Sequence, residues 1–471
     1  MLSQIFNKRI VKSGIAYTVC NVILRGISFL TAPLFIRLLS PDEYGRYSVF
    51  LSFEGIIFIF SGLAIHSSIK NAKYDMKDSF DDYVKNTIYL DFFNSLLLMV
   101  VMNAIHYFDP VFLNLSGLEI NMLVLSGFCS ALISIYSVKL VMDYKSKDFI
   151  LISFITVICG IGLSLLLIFT VFSGNHYYGR LLGSVGGLLI GAIYIVIKCF
   201  KNSFPPIKLS DWKYGLAISL PIVPHGLSQI ALSASDRIIM INYMHNAAQA
   251  GVYSFTYTIS IIPQVLFSSV SNVWEPWFFE NMNNGFHDKV KIISTKFCLL
   301  ISVVFAMIAC VVPEIIKVMA TSEYYGAIDI SIIVLIGLYF ATLYYIPCEI
   351  EYYFKKTKYI AVATLLAAII NVVLNYFGLL YFGYKIVAWT TLFTYFLYFL
   401  FHMYMACKIY GKCFFEIKKF FWIICSTCMF MLLLYTLIDF FVLRLLLLVL
   451  LLGGSSFWIF TELKMLKTDS Q

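Results

Sequence analysis

Long runs of apolar residues, separated by short polar stretches, recur along the chain from residue 13 to residue 462. Each run approaches the ~20 residues that an α-helix needs to cross the hydrocarbon of a bilayer. The first run is too long for the apolar core of a signal peptide and has no small-residue cleavage pattern behind it, so it is predicted to remain as a helix. The pattern predicts fourteen transmembrane segments, numbered 1 to 14 in chain order: 13–39, 46–69, 87–106, 119–141, 149–173, 178–199, 214–244, 251–273, 292–316, 327–350, 359–380, 384–407, 421–440 and 441–462.

Composition supports the same fold class. Hydrophobic residues make up 61% of the chain and charged residues 13%, and the mean hydropathy is +0.86. Soluble domains carry about a quarter charged residues, so the chain is predicted to be an all-α integral membrane protein. The eleven cysteines are scattered singly, apart from a CxxC at Cys425 and Cys428 inside an apolar segment, and are interpreted as packing residues.

Basic residues alternate from one side of the predicted membrane to the other. Of the 34 Lys and Arg residues, 26 fall at one set of segment ends, six at the opposite ends, and two inside segments. Because cytoplasmic loops are enriched in Lys and Arg, the basic side is predicted to be cytoplasmic, together with both termini. The net charge of +8 is then a consequence of topology and needs no nucleic-acid partner.

A short motif recurs after 206 residues. The stretch Glu43 to Ser48, EYGRYS, resembles the stretch Gln249 to Ser254, QAGVYS, and each opens a segment after a long polar-striped one. An offset of six segments restores the same orientation, so the halves are predicted to be parallel repeats, with chance similarity between apolar segments as the alternative. The predicted organisation is a six-helix bundle at 1–199, a cytoplasmic linker at 200–213, a second bundle at 214–407, and two further helices with a tail at 408–471.

Prolines lie inside segments 1, 7, 8 and 10, at Pro33, at Pro221 and Pro224, at Pro263 and at Pro347. A proline removes one backbone hydrogen bond, and membrane proteins accept this where neighbours or water bond the freed carbonyl. These four segments are therefore predicted to bend.

Polar side chains form stripes on several segments, which predicts a hydrated cavity inside the bundle. A charge inside the membrane costs about 2.5–3.5 kcal/mol even on insertion scales, so Arg25 and Arg237 are expected to face that cavity or a buried partner. The two interpretations, an anion-binding residue or a packing ion pair, both stay open, and Arg25 is the stronger candidate for binding. The candidate substrate-binding residues are Arg25, Arg237, Asn21, Gln229, Asn371 and Asn375.

Two acidic residues are candidates for ion coupling. Glu54 lies near the middle of segment 2, where it either balances Arg25 or gains and loses a proton. Asp236 is the second candidate. Since Asp236 and Arg237 are about 100° apart around a helix, their side chains are expected to contact different neighbours.

Several classes of site have no signature in the sequence. There is no Gly-rich phosphate loop, no HExxH pattern, no paired metal motif, and no loop longer than about twenty residues. The sequence therefore predicts neither an enzyme nor a cofactor or metal site.

The motifs LLSPDEYGRYS, SDRIIMINYM and AGVYSF, with basic loops and about fourteen segments, resemble the polysaccharide-transport branch of the multidrug/oligosaccharidyl-lipid/polysaccharide exporter (MOP) superfamily, and more narrowly its bacterial O-antigen flippases. The resemblance implies a MATE-like fold in the bacterial inner membrane. It implies movement of an undecaprenyl-diphosphate-linked oligosaccharide from the cytoplasmic to the periplasmic leaflet by alternating access, with a polymerase and chain-length machinery as possible partners. The alternatives are an ion-coupled drug exporter of the same superfamily and a membrane O-antigen polymerase or ligase.

The charge asymmetry makes the topology testable. Reporter fusions should place residue 205 in the cytoplasm and residue 245 in the periplasm, because the first lies in a basic loop and the second in a loop on the other side. A cytoplasmic signal at 245 or a periplasmic signal at 205 would overturn the predicted orientation.

Overall fold

The computed structural model describes residues 8–468, except for the side chains of 8–15, of 462–468 and of a few positions between them, among them Asn21 and Arg25. Helices account for nearly all of this region, and no strand occurs in it. The helices are α1 (Lys8–Leu38), α2 (Pro41–Gly62), α3 (Ile69–Asp75), α4 (Phe80–Phe108), α5 (Gly117–Met142), α6 (Ser146–Thr170), α7 (His176–Phe200), α8 (Leu209–Ser219), α9 (Val223–Met244), α10 (Ala247–Ser260), α11 (Ile262–Asn283), α12 (His287–Met319), α13 (Gly326–Leu343), α14 (Tyr345–Tyr353), α15 (Lys358–Phe382), α16 (Ile386–Tyr410), α17 (Ile417–Thr436) and α18 (Phe441–Thr468).

Twelve helical stretches among the described residues are long and apolar enough to cross a membrane. A thirteenth is the pair formed by α2 with Ile65–Asp75, which bends by 53°, and the fully described apolar part of α1 is the shorter stretch Phe29–Leu38. All fourteen predicted segments fall on helices. The all-α, multi-pass membrane fold is confirmed.

Three of the four proline-containing segments are interrupted. Segment 7 divides at the 3₁₀ turn Leu220–Ile222, which contains Pro221, segment 8 divides at Ile261 before Pro263, and segment 10 divides at Tyr344 before Pro347. In each case the proline has no N–H for the carbonyl four residues earlier. In contrast, α1 continues through Pro33 without interruption.

The chain forms two compact units, the first ending at Gly251 and the second beginning at Val252. The first unit includes α9 because α9 packs against α2. A Cβ on Gly226 of α9 would lie 2.9 Å from the side chain of Ile59 on α2. The predicted organisation into 1–199, 200–213, 214–407 and 408–471 stays a prediction.

Small residues bring α6 and α7 of the first unit into backbone contact. A Cβ on Gly183 would lie 2.3 Å from the Cα of Ser164, and a Cβ on Gly187 would lie 2.4 Å from the Cα of Gly160. Helices in lipid associate by such close packing, because hydrocarbon offers no hydrophobic drive between them. A larger residue at either glycine would force the two helices apart.

Polar contacts fix one end of the first unit. Glu43 and Glu119 complete capping boxes at the starts of α2 and α5. Tyr177 of α7 joins them, since its N–H donates to Glu43 Oε1 at 3.2 Å and its hydroxyl donates to Glu119 Oε1 at 2.5 Å. Arg46 lies 3.4 Å from the same Glu119 oxygen. The carboxylates therefore bond helix starts and a neighbouring helix at the same time.

In the second unit a buried ion pair attaches the last helix. Arg444 of α18 is 1% exposed, and its two terminal nitrogens each donate to an oxygen of Glu314 of α12 at 2.6 Å. It also donates to the carbonyls of Cys310 at 2.8 Å and Leu437 at 3.2 Å. This bidentate geometry is the strong form of an Arg–carboxylate pair.

The pair predicts a large loss of stability in Arg444→Ala. Removing Arg444 leaves Glu314, which is 27% exposed, without its counterion, so the loss of unfolding free energy should approach the about 3–5 kcal/mol of a fully buried pair without exceeding it. The measurement is chemical or thermal unfolding of the purified protein in detergent.

A matched control is Lys385→Ala, which breaks the exposed pair between Lys385 and Asp329 in the same unit, 2.6 Å apart and 56% and 52% exposed. This variant should lose no more than about 1 kcal/mol. Equal losses in the two variants would contradict the assignment of Arg444 as the anchor of α18.

Candidate functional site

Glu54 lies on the face of α2 that packs into the first unit. Its Oε1 accepts a hydrogen bond of 3.0 Å from the hydroxyl of Ser130 on α5, and its side chain is half-buried. The next residue, Gly55, lies beside Ile230 of α9, with 3.3 Å between a Cβ at Gly55 and the Ile230 side chain. Glu54 is therefore inside a bundle formed by α2, α5 and α9, as expected for a carboxyl group in an apolar segment.

A second acidic residue, Asp91 of α4, belongs to the same bundle and was not among the sequence-based candidates. It is 1% exposed, and its Oδ1 accepts hydrogen bonds from Ser61 of α2 at 3.1 Å and from Ser95 at 3.4 Å. The hydroxyls of Ser61 and Ser95 also bond to each other. The other oxygen of Asp91, Oδ2, is buried and meets no hydrogen-bond partner among the described residues.

Glu54 and Asp91 lie on neighbouring helices of one bundle, because α2 packs against both α4 and α5. The thiol of Cys129 is buried on α5 in the same bundle. Each carboxyl group is held by hydroxyl groups of its own neighbours, Ser130 for Glu54 and Ser61 and Ser95 for Asp91.

The adjacent Asp236 and Arg237 of α9 make different contacts. Asp236 is 2% exposed, and its Oδ1 accepts the backbone N–H of Arg237 at 2.8 Å. The guanidinium of Arg237 donates to the carbonyl of Ser233, one turn earlier, at 3.2 Å. One turn farther back, the backbone carbonyl of Gln229 accepts a hydrogen bond from the Ser233 hydroxyl at 2.9 Å, and the Gln229 side chain is half-buried. The polar residues predicted on this helix thus follow one another at helical spacing.

Asn21 and Arg25 are on α1, and their side chains lie outside the described residues. The structure therefore leaves the predicted roles of Asn21 and Arg25 as predictions.

Asn371 and Asn375 of α15 lie in the second unit, where both are buried. Asn375 donates to Asn371 Oδ1 at 2.9 Å, and Asn371 donates to the hydroxyl of Thr394 on α16 at 3.4 Å. Asn375 also accepts a hydrogen bond from Thr390. Their amides thus connect α15 to α16, a contact that the sequence pattern did not predict. Substrate binding by Asn371 and Asn375 stays a prediction.

The repeated motif forms a close backbone contact. A Cβ on Gly45 of α2 would lie 1.9 Å from the carbonyl oxygen of Ala247, and a Cβ on Gly251 of α10 would lie 1.9 Å from the carbonyl oxygen of Pro41. Both glycines belong to the first unit. No side chain larger than hydrogen fits either position, which explains why glycine is shared by the two copies of the motif.

A cluster of charged residues lies at the end of α5, opposite to the start that Glu119 caps. Asp143, just after α5, accepts from Lys73 of α3 at 2.5 Å and from Lys139 at 2.8 Å, and Lys139 also contacts Asp81 at 2.8 Å. Burial alone would raise the pKa of Asp143, but the hydrogen bonds from Lys139 and Lys73 lower it below its ordinary value. The cluster ties α3 to α4 and α5.

Residues 10–282, more than half of the chain, match the family model described as polysaccharide biosynthesis protein. The chain belongs to the polysaccharide biosynthesis protein family. This membership confirms the family expected from the motifs. No curated protein sequence is significantly similar to this family member.

Solved structures share its fold. The structure titled lipid II flippase MurJ, inward closed conformation, superposes with a TM-score of 0.71 at 17% identity, covering 95% of this chain and 99% of that one. An inward-facing multidrug resistance MATE family transporter of the MOP superfamily gives a TM-score of 0.64 at 15% identity, covering 83% and 96%. A MATE crystal structure in complex with MaL6 gives 0.54 at 15% identity, covering 86% and 97%. The polysaccharide biosynthesis family member therefore has the MATE-like fold that the resemblance implied.

The position of Glu54 predicts that Glu54→Gln keeps the abundance of the protein but loses the pH dependence of transport, because glutamine cannot exchange a proton. The measurement is the transport rate against pH at matched membrane abundance.

Ser130→Ala is the matched control. It removes the hydrogen bond to Glu54 but keeps the carboxyl group, so its transport rate should still depend on pH. An unchanged pH profile in Glu54→Gln would remove Glu54 from this role and direct attention to Asp91→Asn.

Proposed function

We propose that this protein is a flippase that moves an undecaprenyl-diphosphate-linked oligosaccharide, an O-antigen repeat unit or similar, from the cytoplasmic to the periplasmic leaflet of the bacterial inner membrane. The observation that carries the proposal is the coincidence of two features. Four ionisable residues in apolar helices, the buried Asp91 and Asp236 and the half-buried Glu54 and Arg237, all lie within residues 10–282, which match the polysaccharide biosynthesis family. A structure titled lipid II flippase shares the fold of nearly the whole chain.

The chemistry of this substrate fits the residue types. A diphosphate sugar is anionic and rich in hydroxyl groups, so it requires fixed positive charge and amide side chains, while the lipid tail stays in the hydrocarbon. We propose that Arg25 and Arg237 contact the diphosphate or an acidic sugar, because the guanidinium has a planar, permanently charged fork that matches phosphate oxygens. Asn21 and Gln229 would bond sugar hydroxyls beside them.

Asn371 and Asn375 are proposed to bind sugar hydroxyls as well. Their amides bond to each other and to threonines of α16 in the described arrangement. Substrate binding there requires an exchange of those bonds, which costs little when each lost bond is replaced.

Transport is proposed to occur by alternating access. The contact of Gly45 with Ala247, and of Gly251 with Pro41, holds the starts of α2 and α10 together at the predicted periplasmic side. Opening toward the periplasm would separate these two helix starts, and restoring the contact would close that side again. Proton exchange at Glu54, with Asp236 as the second candidate, would drive the cycle.

The proposed setting includes other components of polysaccharide export. Delivery of repeat units to the periplasmic leaflet would supply a polymerase and the machinery that sets chain length. Both termini would lie in the cytoplasm.

The test is deletion of the gene in its host, followed by location of the lipid-linked repeat units. Accumulation in the cytoplasmic leaflet is expected. Unpolymerised units on the periplasmic side would support the polymerase or ligase alternative, and unchanged levels of polymer would support drug export.

Complementation with Arg25 variants tests the substrate site. Arg25→Ala should reduce transport by about tenfold or more, the equivalent of one charge-assisted hydrogen bond, and Arg25→Lys should keep part of it. The control is Arg37→Ala, which removes an exposed arginine from the same helix and should transport normally. Normal transport by Arg25→Ala at matched abundance would contradict the cationic site, whereas low abundance of that variant would indicate a packing role.

A further inference from the structure

A buried histidine–glutamate pair lies in the second unit, outside the residues discussed above. His402 of α16 and Glu351 of α14 are both 0% exposed, and His402 Nδ1 lies 2.6 Å from Glu351 Oε1. This distance is that of a short hydrogen bond carrying one proton between the two groups. Two ionisable side chains removed from water in an apolar helix pair are costly and require a reason.

Each member of the pair keeps one polar atom without a hydrogen bond. Among the described residues, neither His402 Nε2 nor Glu351 Oε2 has a partner, although both atoms are buried. A pair that served only to hold α14 against α16 would be expected to bond these atoms as well, as the Arg444–Glu314 pair does. The two free positions are sites at which a proton can be gained.

Aromatic side chains enclose the imidazole. The ring of Tyr344 lies 5.3 Å from that of His402 and the ring of Tyr398 lies 4.6 Å from it. The hydroxyl of Tyr398 is 3.1 Å from that of Thr364 on α15. On the α13 side the neighbours of α16 are phenylalanines, with Phe340 packed on Phe399. The rings that enclose the imidazole are therefore apolar apart from these hydroxyl groups.

The other ionisable groups near the pair are acidic or thiol groups. Cys348 of α14 interacts with the charges of Glu349 and Glu351. Glu349 is buried on the same short helix, and Glu275 of α11 interacts with it. These neighbours add negative charge beside the pair when they are ionised.

The pair is carried by a short helix that is separated from the one before it. The break between α13 and α14 falls at Tyr344, and Pro347 has no N–H for the carbonyl of Leu343. Consequently α14 can tilt at this break with one backbone hydrogen bond fewer to break than in a continuous helix, while the N–H groups of Tyr344 and Cys348 still bond to the carbonyls of Phe340 and Tyr344. Such a tilt would bring Glu351 to water, because α14 ends two residues later at Tyr353.

We propose that Glu351 and His402 form a further proton-binding site, which acts together with Glu54 in coupling transport to the proton gradient, an inference that rests on the proposed function. In the empty form His402 is neutral and donates Nδ1–H to the Glu351 carboxylate, so the buried pair carries one negative charge. One proton from water then forms an N–H bond at Nε2, and the pair becomes an imidazolium–carboxylate ion pair of zero net charge. Burial costs less for the protonated pair, which has zero net charge. The unprotonated pair carries a negative charge and therefore favours hydration and opening of α14.

Proton binding by the purified full-length protein tests the site without any transport measurement. Between about pH 5 and about pH 8, the wild type should bind a single proton more than the double variant Glu351→Gln with His402→Gln. If the double variant does not fold, His402→Gln should show the same loss, because the proton is proposed to bind at Nε2 of His402. Glu323→Gln, which alters an exposed carboxylate of the same unit, should titrate like the wild type in this range. Identical proton uptake by wild type and pair variants would overturn the proposal.

Translocation in inverted membrane vesicles, with and without an imposed pH difference, tests the coupling. For one proton per cycle, each pH unit changes the accumulation ratio of lipid-linked oligosaccharide by up to about tenfold. The wild type and Glu323→Gln should respond, and the pair variants should not. A response retained by both single pair variants would overturn the coupling role. If the wild type moves no lipid-linked oligosaccharide, the proposed function fails, while the proton titration still decides whether the pair binds a proton.

Discussion

Hydrocarbon offers no hydrogen-bond partner, and this constraint shapes nearly every feature of the protein. Each backbone N–H and C=O inside the membrane has to be bonded within its own segment, so the chain forms helix after helix. The interruptions at Ile261 and Tyr344 occur where a proline follows closely. The same constraint acts on side chains: a charge within these helices persists only where packing supplies a partner, as Glu314 does for Arg444.

Buried ionisable groups in this protein fall into two kinds. Arg444 is bonded through all three of its guanidinium nitrogens, so any change in its surroundings is costly and the residue serves as an anchor. Asp91, Glu351 and His402 are equally buried but each keeps an atom without a hydrogen bond among the described residues. This contrast separates a group whose hydrogen bonds are complete, and which holds the fold, from groups with an open hydrogen-bonding position, of the kind that the proposed proton-binding pair requires.

Sequence periodicity predicted the helices well because apolar runs of membrane length are distinctive, and all fourteen segments fall on helices. Glu54 was identifiable for the same reason, as a carboxyl group in mid-segment. Asp91 lies only four residues inside predicted segment 87–106, and Glu351 lies one residue beyond 327–350, so both resemble residues at a membrane surface. His402 is a lone histidine on an apolar helix. What brings it to Glu351 is the packing of α14 on α16, which depends on contacts between distant residues that no local pattern records.

The glycine contact at Gly45 and Gly251 has a consequence for how these helix starts respond to change. Two helix starts that meet through backbone atoms have no side chain at the contact that could adopt another rotamer to make room for an added group. A methyl group at either position would therefore have to displace a carbonyl oxygen, and with it the backbone that carries the oxygen. The fit depends on backbone position alone, so the smallest possible side-chain change is enough to disturb it.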